Sequence, residues 1–123
     1  MIKTMEQWLT GKRLLIILTI AAAVWFSFTA VMTVLRYRLN YAPAYDFGIF
    51  SQMYYYMDKC LSPLTTCERD GLLSHFAVHL SPVFYVLLPF YKLVPRPETL
   101  LVLQSLVVIS GMVPLCLLTR AFG

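Results

Sequence analysis

Two long runs without charged residues dominate the pattern of polar and apolar positions along the chain. The first extends from Leu14 to Leu35 and the second from Thr99 to Thr119. At about 1.5 Å of rise per residue, each run forms a helix long enough to cross a hydrocarbon core of about 30 Å. We therefore predict transmembrane helices at 14–35 and 98–119.

The spacing of apolar side chains predicts a shorter helix between these runs. Asp46 is followed by apolar residues three and four positions apart, which is the repeat of one helical face. The members of this face are Phe47, Phe50, Tyr54 and Met57. We expect a helix at about 46–60 that lies along the membrane surface.

The segment 76–94 is also apolar, but its composition argues against a membrane crossing. It contains Pro82, Pro89 and Lys92. Prolines and a lysine are poorly tolerated in lipid, where every backbone polar group needs a partner. We interpret the segment as a second amphipathic helix at the interface. The alternative is a third transmembrane helix, which would place the two ends of the chain on opposite sides of the membrane.

These elements define an all-α integral membrane fold, in which two transmembrane helices are joined by an external loop with interfacial amphipathic helices. The predicted order is a cytoplasmic lead-in at 1–13, the first span, the external loop at 36–97, the second span, and a cytoplasmic end at 120–123. More basic residues precede the first span than follow it; these are Lys3, Lys12 and Arg13 against Arg36 and Arg38. Because cytoplasmic flanks carry the excess of Lys and Arg, we expect a cytoplasmic N-terminus in a multi-pass protein of the plasma membrane.

The composition also points to lipid as the solvent. Hydrophobic residues make up 59% of the 123 residues and charged residues 13%, against roughly 45–50% and about 25% in soluble domains. The formal net charge of +4 is spread over the flanks of the apolar runs. Since no basic stripe is present, we do not expect a nucleic acid partner.

Asp46 permits two compatible interpretations. Aspartate is a preferred N-cap residue, and its charge complements the helix dipole. A carboxylate beside aromatic residues at the lipid boundary could also act as a general base or bind a divalent cation such as Mg²⁺ or Mn²⁺. Asp46 is therefore the candidate catalytic residue and the candidate metal ligand.

A compact group of charged residues, Glu68, Arg69 and Asp70, lies further along the loop. One interpretation is a solvated turn. The other is a second acidic contribution to the same site, with Arg69 placed for a phosphate group. His75 and His79, at the spacing of one helical turn, are candidates for carrying protons or binding that phosphate.

Cys60 and Cys67 lie close together in the same loop. In an oxidising compartment such a pair can form a disulfide, and two free thiols are the alternative. Together with His75 and His79 they resemble a zinc site only superficially, because the usual spacing of two to four residues between cysteine ligands is absent.

Three motifs carry a family resemblance: YDFGIF, LLSHFAVHLSPVF and PETLLVLQSL. They resemble the start of the bacterial DUF2079 membrane proteins, which look related to the multi-span GT-C glycosyltransferases that use polyprenyl-phosphate-linked sugars. The resemblance implies that the first external loop carries an acidic active-site residue, which by motif matches Asp46. It also implies further spans, so we expect this chain to be the front part of a longer protein or a natural short form.

The resemblance favours the N-terminal portion of a GT-C-like enzyme that is not active on its own and takes its sugar from a lipid-phosphate donor. The alternative is a non-catalytic small membrane subunit or anchor. Such a subunit would pack on a partner membrane protein through the face of the second span that carries Gly111 and Pro114.

Overall fold

The structure, a computed structural model, describes residues 11–41 and 44–122, and these are mostly helical. Five α-helices, a short 3-10 helix and a pair of two-residue strands follow each other along the described chain. In order they are α1 (Gly11–Arg38), α2 (Ala44–Cys60), β1 (Leu64–Thr65), β2 (Leu73–Ser74), the 3-10 helix (His75–Ala77), α3 (Val83–Leu93), α4 (Pro97–Ser110) and α5 (Met112–Phe122). Most of the predicted lead-in at 1–13 lies outside the described residues.

Two stretches, Arg13–Arg38 and Pro97–Thr119, are long and apolar enough to cross a membrane by length and composition. Only 6% of the most apolar window in each stretch is buried. In water such exposure of apolar surface would be unfavourable by about 25 cal/mol per Å², whereas in lipid it carries no such cost. The predicted pair of long apolar helices is therefore confirmed.

The second of these stretches is interrupted between α4 and α5. Pro114 has no N–H to donate to the carbonyl of Ser110, so one helical hydrogen bond is missing there. Gly111 donates instead to the carbonyl oxygen of Val108 at 3.2 Å, which is the tighter 3-10 pattern. The regular helix is thus broken at the predicted pair of Gly111 and Pro114.

The chain divides into two compact units, one formed by Met1–Met32 and Ser105–Gly123 and the other by Thr33–Gln104. We name them the span unit and the loop unit. Within the span unit, α1 and α5 line an apolar groove of about 320 Å³. Its walls include Leu18 from α1 and Leu117 from α5. The two candidate spans are therefore neighbours in this unit.

The loop unit has a hydrophobic core where α2 packs on α3. Met53 and Met57 of α2 are fully buried, and Tyr54 lies on the same face. Leu88 and Tyr91 complete the core from α3. The α2 members are three and four residues apart, so a single helical face supplies them. This packing gives the loop between the candidate spans a defined tertiary structure.

Aromatic contacts connect α2 to α3. The rings of Phe50 and Phe84 lie 5.5 Å apart, and those of Tyr54 and Tyr91 lie 5.2 Å apart. The Tyr54 hydroxyl also donates to the carbonyl of Phe84 at 3.2 Å. Tyr54 thus contacts α3 at two positions, Phe84 and Tyr91.

The helix predicted over 76–94 is shorter in the structure, where α3 covers Val83–Leu93. The 3-10 turn that precedes it is capped by the Ser74 hydroxyl, which accepts from the N–H of Phe76. Pro82 accounts for the late start, because a proline disfavours the helical conformation of the residue before it. At about 16 Å, α3 is too short to cross a hydrocarbon core of about 30 Å.

An ion pair joins the end of α1 to the start of α4 inside the loop unit. Nη2 of Arg38 lies 3.2 Å from Oε1 of Glu98. Because the pair is partly exposed, we expect it to contribute only about 0–1 kcal/mol to stability. Its significance is geometric, since it brings together the ends of the two candidate spans, as a loop between them requires.

Candidate functional site

Asp46 is the third residue of α2, because the helix begins at Ala44. The N-cap interpretation is therefore corrected: Asp46 lies in the first turn, where its charge still complements the helix dipole. Its side chain is exposed, and within residues 11–41 and 44–122 no hydrogen bond or ion pair engages its carboxylate. Asp58, near the other end of α2, instead pairs with Lys59 at 3.1 Å, and this hydrogen bond raises the pKa of Lys59.

The residues on either side of Asp46 are both held in place. The hydroxyl of Tyr45 donates to the carbonyl of Cys67 at 2.7 Å, which ties the start of α2 to the loop. The ring of Phe47 meets the ring of Tyr37, near the end of α1, edge-on at 5.1 Å. The backbone that carries the Asp46 carboxylate is therefore fixed at two points, while the carboxylate itself faces solvent.

A buried carboxylate–imidazole pair lies further along the loop. Oε2 of Glu68 is 2.8 Å from Nδ1 of His75, and the two side chains are 12% and 3% exposed. The strand pair creates this contact, because β1 and β2 align Leu64 with Ser74 and so turn the chain back on itself between Glu68 and His75. The pairing could not be read from the sequence, which predicts separate roles for these two residues.

Aromatic rings surround the imidazole of His75. Its ring centroid lies 5.7 Å from that of Phe50 on α2 and 5.9 Å from that of Phe84 on α3. The His79 ring is 5.7 Å away, two residues beyond the end of the 3-10 helix. His75 is thus a packing element between the two core helices as well as a partner of Glu68.

The contact with Glu68 also determines what the other ring nitrogen of His75 can do. A neutral imidazole next to a carboxylate donates from Nδ1, which leaves Nε2 as a hydrogen-bond acceptor. No described residue forms a hydrogen bond with Nε2. His75 can therefore accept a proton there, and it can donate to a phosphate from Nε2 only after it has done so.

The remaining predicted charges stay at the surface. Arg69, Asp70 and His79 are exposed, and no hydrogen bond or ion pair involves the side chains of Arg69 and Asp70 in the described part of the chain. The structure brings the His79 ring next to the His75 ring, although His79 lies outside the 3-10 helix. It records no direct contact between Asp46 and any of the residues Arg69, Asp70, His75 and His79.

Gln52 has a structural role that the sequence did not reveal. Its Oε1 accepts from the N–H of Thr66 at 2.8 Å and from the hydroxyl of Thr65 at 3.1 Å. The thiol of Cys67 reaches the same oxygen at 3.3 Å. Gln52 therefore attaches the first strand of the loop to α2. In the sequence, Gln52 is only a polar residue in a mostly apolar helix, and this pattern is too general to identify its hydrogen-bond partners in the loop.

The cysteines are free thiols in the structure. The Cys60 thiol donates to the carbonyl of Tyr56 at 3.1 Å, and that of Cys67 points at Gln52. The disulfide between Cys60 and Cys67 remains a prediction. Among the described residues no group of three or more His, Cys, Asp or Glu side chains could hold a metal ion, so a cation at Asp46 would need further ligands from substrate and water.

Burial raises the pKa of Tyr54 to about 12. It also raises the pKa of Tyr91, where the nearby charge of Asp58 acts in the same direction. Both phenols are therefore neutral at physiological pH, and Tyr54 is a permanent donor to the α3 backbone. This hydrogen bond helps to hold α2 and α3 together beneath the site.

The two long apolar helices and the packed loop between their ends define a helical protein with a membrane location. The family model of predicted membrane proteins, DUF2079, matches residues 35–123. The chain belongs to this family. No curated protein and no solved structure matches it.

Proposed function

We propose that this chain forms the N-terminal portion of a GT-C-like membrane glycosyltransferase that takes sugar from a polyprenyl-phosphate-linked donor. The observation that carries the proposal is the carboxylate of Asp46, which is exposed and unpaired among the described residues while Tyr45 and Phe47 hold its backbone. The motif resemblance supports the same residue. In this proposal the loop unit lies outside the plasma membrane, the N-terminus is cytoplasmic, and further spans complete the substrate cavity.

The proposed reaction is a displacement at the anomeric carbon of the sugar. A hydroxyl oxygen of the acceptor forms the new bond to this carbon, and the bond from the carbon to the phosphate oxygen breaks. Asp46 accepts the hydroxyl proton, and the electron pair leaves with the polyprenyl phosphate. General bases of this kind typically contribute about 10²–10⁴-fold to the rate.

A divalent cation, Mg²⁺ or Mn²⁺, is compatible with this proposal because Asp46 offers it a carboxylate ligand. Mg²⁺ is commonly bound by one or two carboxylates together with substrate phosphates and waters, and Asp46 supplies one exposed carboxylate. When bound, the cation would neutralise charge on the phosphate. Asp46 would then share its carboxylate between the cation and the proton that it accepts.

Phosphate binding is assigned in this proposal to Arg69, His75 and His79. Arg69 supports this role because its guanidinium is exposed and unpaired within the described residues, and its planar donors suit phosphate oxygens. His75 can donate from Nε2 only when that nitrogen carries a proton, and Glu68 holds the imidazole ring in place through Nδ1. Glu68 and Asp70 are the further acidic candidates, and Glu68 acts here through His75.

Replacement of Asp46 in a complete membrane-embedded protein of this family tests the catalytic role. Asp46→Asn should reduce sugar transfer from the lipid-linked donor by about 10²–10⁴-fold, while membrane insertion is unchanged. Asp58→Asn is the matched control, because it removes a carboxylate of the same helix that pairs with Lys59. Normal transfer by the Asp46→Asn protein would refute the assignment.

The native cysteines allow the proposed sidedness to be measured. Cys60 is exposed in the loop unit, whereas Cys116 lies within the second candidate span. After mild reduction, which opens the predicted disulfide with Cys67, a membrane-impermeant maleimide added to intact cells should label Cys60 and spare Cys116. Labelling of Cys60 only after the cells are opened would place the loop on the cytoplasmic side and contradict the proposal.

The second candidate function is a non-catalytic small subunit or anchor that packs on a partner membrane protein. The groove in the span unit favours it, because a cleft between α1 and α5 can receive apolar side chains from a helix of another protein. Ala22→Trp would fill this groove. It should release a partner protein if the subunit function is correct, and it should leave sugar transfer intact if the first proposal is correct.

A further inference from the structure

Helix α3 is apolar on two different faces. Phe84, Leu88 and Tyr91 point to α2 and take part in the core of the loop unit. A second set of side chains is between 54% and 79% exposed and consists of Val83, Val86, Phe90 and Leu93. We call this second set the outer face of α3. The only charged residue in the whole helix is Lys92.

The outer face is a continuous stripe rather than scattered exposure. Its members recur at intervals of three and four residues, so they lie along one side of the helix. At 3.6 residues per turn the stripe is rotated by roughly 150° from the side that meets α2. Leu80 lies just before the helix and adds another exposed apolar side chain. A stripe of this kind is unfavourable in water and needs a covering.

Helix α2 offers no comparable surface. Its apolar residues Met53 and Met57 are fully buried against α3. Its exposed residues include Asp46, Tyr55 and Lys59, which are charged or carry a polar group. If a lipid surface covers one helix of the loop unit, that helix is α3, because its exposed side chains are apolar and those of α2 are charged or polar.

The connection to α4 holds α3 at the end of a candidate span. Only Val94, Pro95 and Arg96 separate Leu93 from Pro97, where the second long apolar stretch begins. The turn is stiff, because the Thr99 hydroxyl donates to the carbonyl of Val94 at 2.6 Å. Leu93 and Pro97 can be no more than about 14 Å apart, so the Leu93 end of the outer face lies close to the start of that stretch.

We propose that the outer face of α3 lies in the boundary of the bilayer and that α3 alone carries the lipid contact of the loop unit. Lys92 and Arg96, at the end of α3, would then meet the phosphates of the headgroups. Helix α2 lies on α3 at an interhelical distance of about 8–10 Å, which raises it out of the hydrocarbon. Asp46 would thereby be held in the headgroup layer, which is where the phosphate of a lipid-linked substrate lies. This last step rests on the proposed function, whereas the lipid contact does not.

Depth measurements on the full chain in lipid vesicles test this inference. The three native cysteines are replaced by serine, and single cysteines are then introduced for an environment-sensitive nitrobenzoxadiazole label. The test positions are Val86 and Phe90 on the outer face, and the controls are Tyr55 on α2 and Asp70 in the loop, all of them exposed. Vesicles of phosphatidylcholine and phosphatidylglycerol with and without nitroxide-bearing acyl chains provide the readout.

Interfacial helices bury their apolar face about 5–10 Å into the boundary, so labels at Val86 and Phe90 should lose about half of their fluorescence to the nitroxide lipids. Labels at Tyr55 and Asp70 should lose little. Equal, weak quenching at all four positions would overturn the inference and show that something other than lipid covers α3. Strong quenching at Tyr55 as well would overturn the claim that α3 alone touches lipid. Neither result depends on sugar transfer, so failure here is distinguishable from failure of the catalytic proposal.

Discussion

Helices α2 and α3 pack on each other with similar apolar side chains, yet their outer faces differ in chemistry. The free side of α2 carries Asp46 and Lys59, whereas the free side of α3 carries Val86 and Phe90. Two helices in one solvent would both expose polar residues. This difference is what we expect if the outer face of α3 lies in the bilayer boundary as proposed, because water would then meet α2 and an apolar phase would meet α3.

Helices α2 and α3 are held together by their shared core, so removal of a core side chain should have the largest effect on the stability of the loop unit. Met53 is fully buried in α2, and truncation of a buried methionine to alanine costs about 2–5 kcal/mol. Met53→Ala should lower the free energy of opening of α2, measured by amide hydrogen exchange in lipid nanodiscs, by this amount. Met32→Ala serves as the control, because Met32 is 43% exposed in α1. Equal effects of the two substitutions would show that the α2–α3 core does not stabilise the loop unit.

The Glu68–His75 pair links the two helices through the ring contacts of His75 with Phe50 and Phe84. Glu68→Ala leaves the buried Nδ1 of His75 without a partner, which costs about 1–3 kcal/mol. We expect this loss of stability to appear as faster hydrogen exchange of the backbone amides in both α2 and α3. Asp70→Ala removes an exposed acid two residues away and should change stability by less than about 0.5 kcal/mol. A loss confined to the loop strands would mean that the pair closes the loop without joining the helices.

The outer faces can be compared directly by placing the same charge on each. Val86→Glu puts a carboxylate on the outer face of α3 and removes an apolar side chain from it, and we expect a loss of about 1–2 kcal/mol in nanodiscs. Tyr55→Glu puts the same group on the exposed side of α2 and should be nearly neutral. Thermal unfolding followed by circular dichroism measures both. If Val86→Glu left the stability unchanged, the proposed contrast between the exposed faces of α2 and α3 would be wrong.

The sequence contained the signals for some of these features and not for others. The two spans follow from uninterrupted apolar runs, and the three-and-four spacing after Asp46 placed α2 to within two residues of its start. The late start of α3 at Val83 is also encoded, in the restriction that Pro82 imposes on Ser81. The contact between Glu68 and His75 is different, because it exists only once β1 and β2 have paired, and strands of two residues leave no periodic pattern. The hydrogen bonds that attach the loop to Gln52 likewise form only in the folded loop, so the sequence pattern does not reveal them.

The smallest expected effect concerns the hydrogen bond from the Tyr54 hydroxyl to the carbonyl of Phe84. Tyr54→Phe removes it and should cost about 0.5–1.5 kcal/mol at neutral pH. Burial raises the pKa of Tyr54 to about 12, above the ordinary value of about 10. The stability that the neutral phenol contributes is therefore complete below about pH 10 and is lost as the pH rises through 12. Unfolding at pH 8, 10 and 11.5 should show the native chain losing its advantage over Tyr54→Phe across this range. If the difference stays constant, the pKa of Tyr54 is the same in the folded and the unfolded chain, and its hydroxyl is not held between the helices.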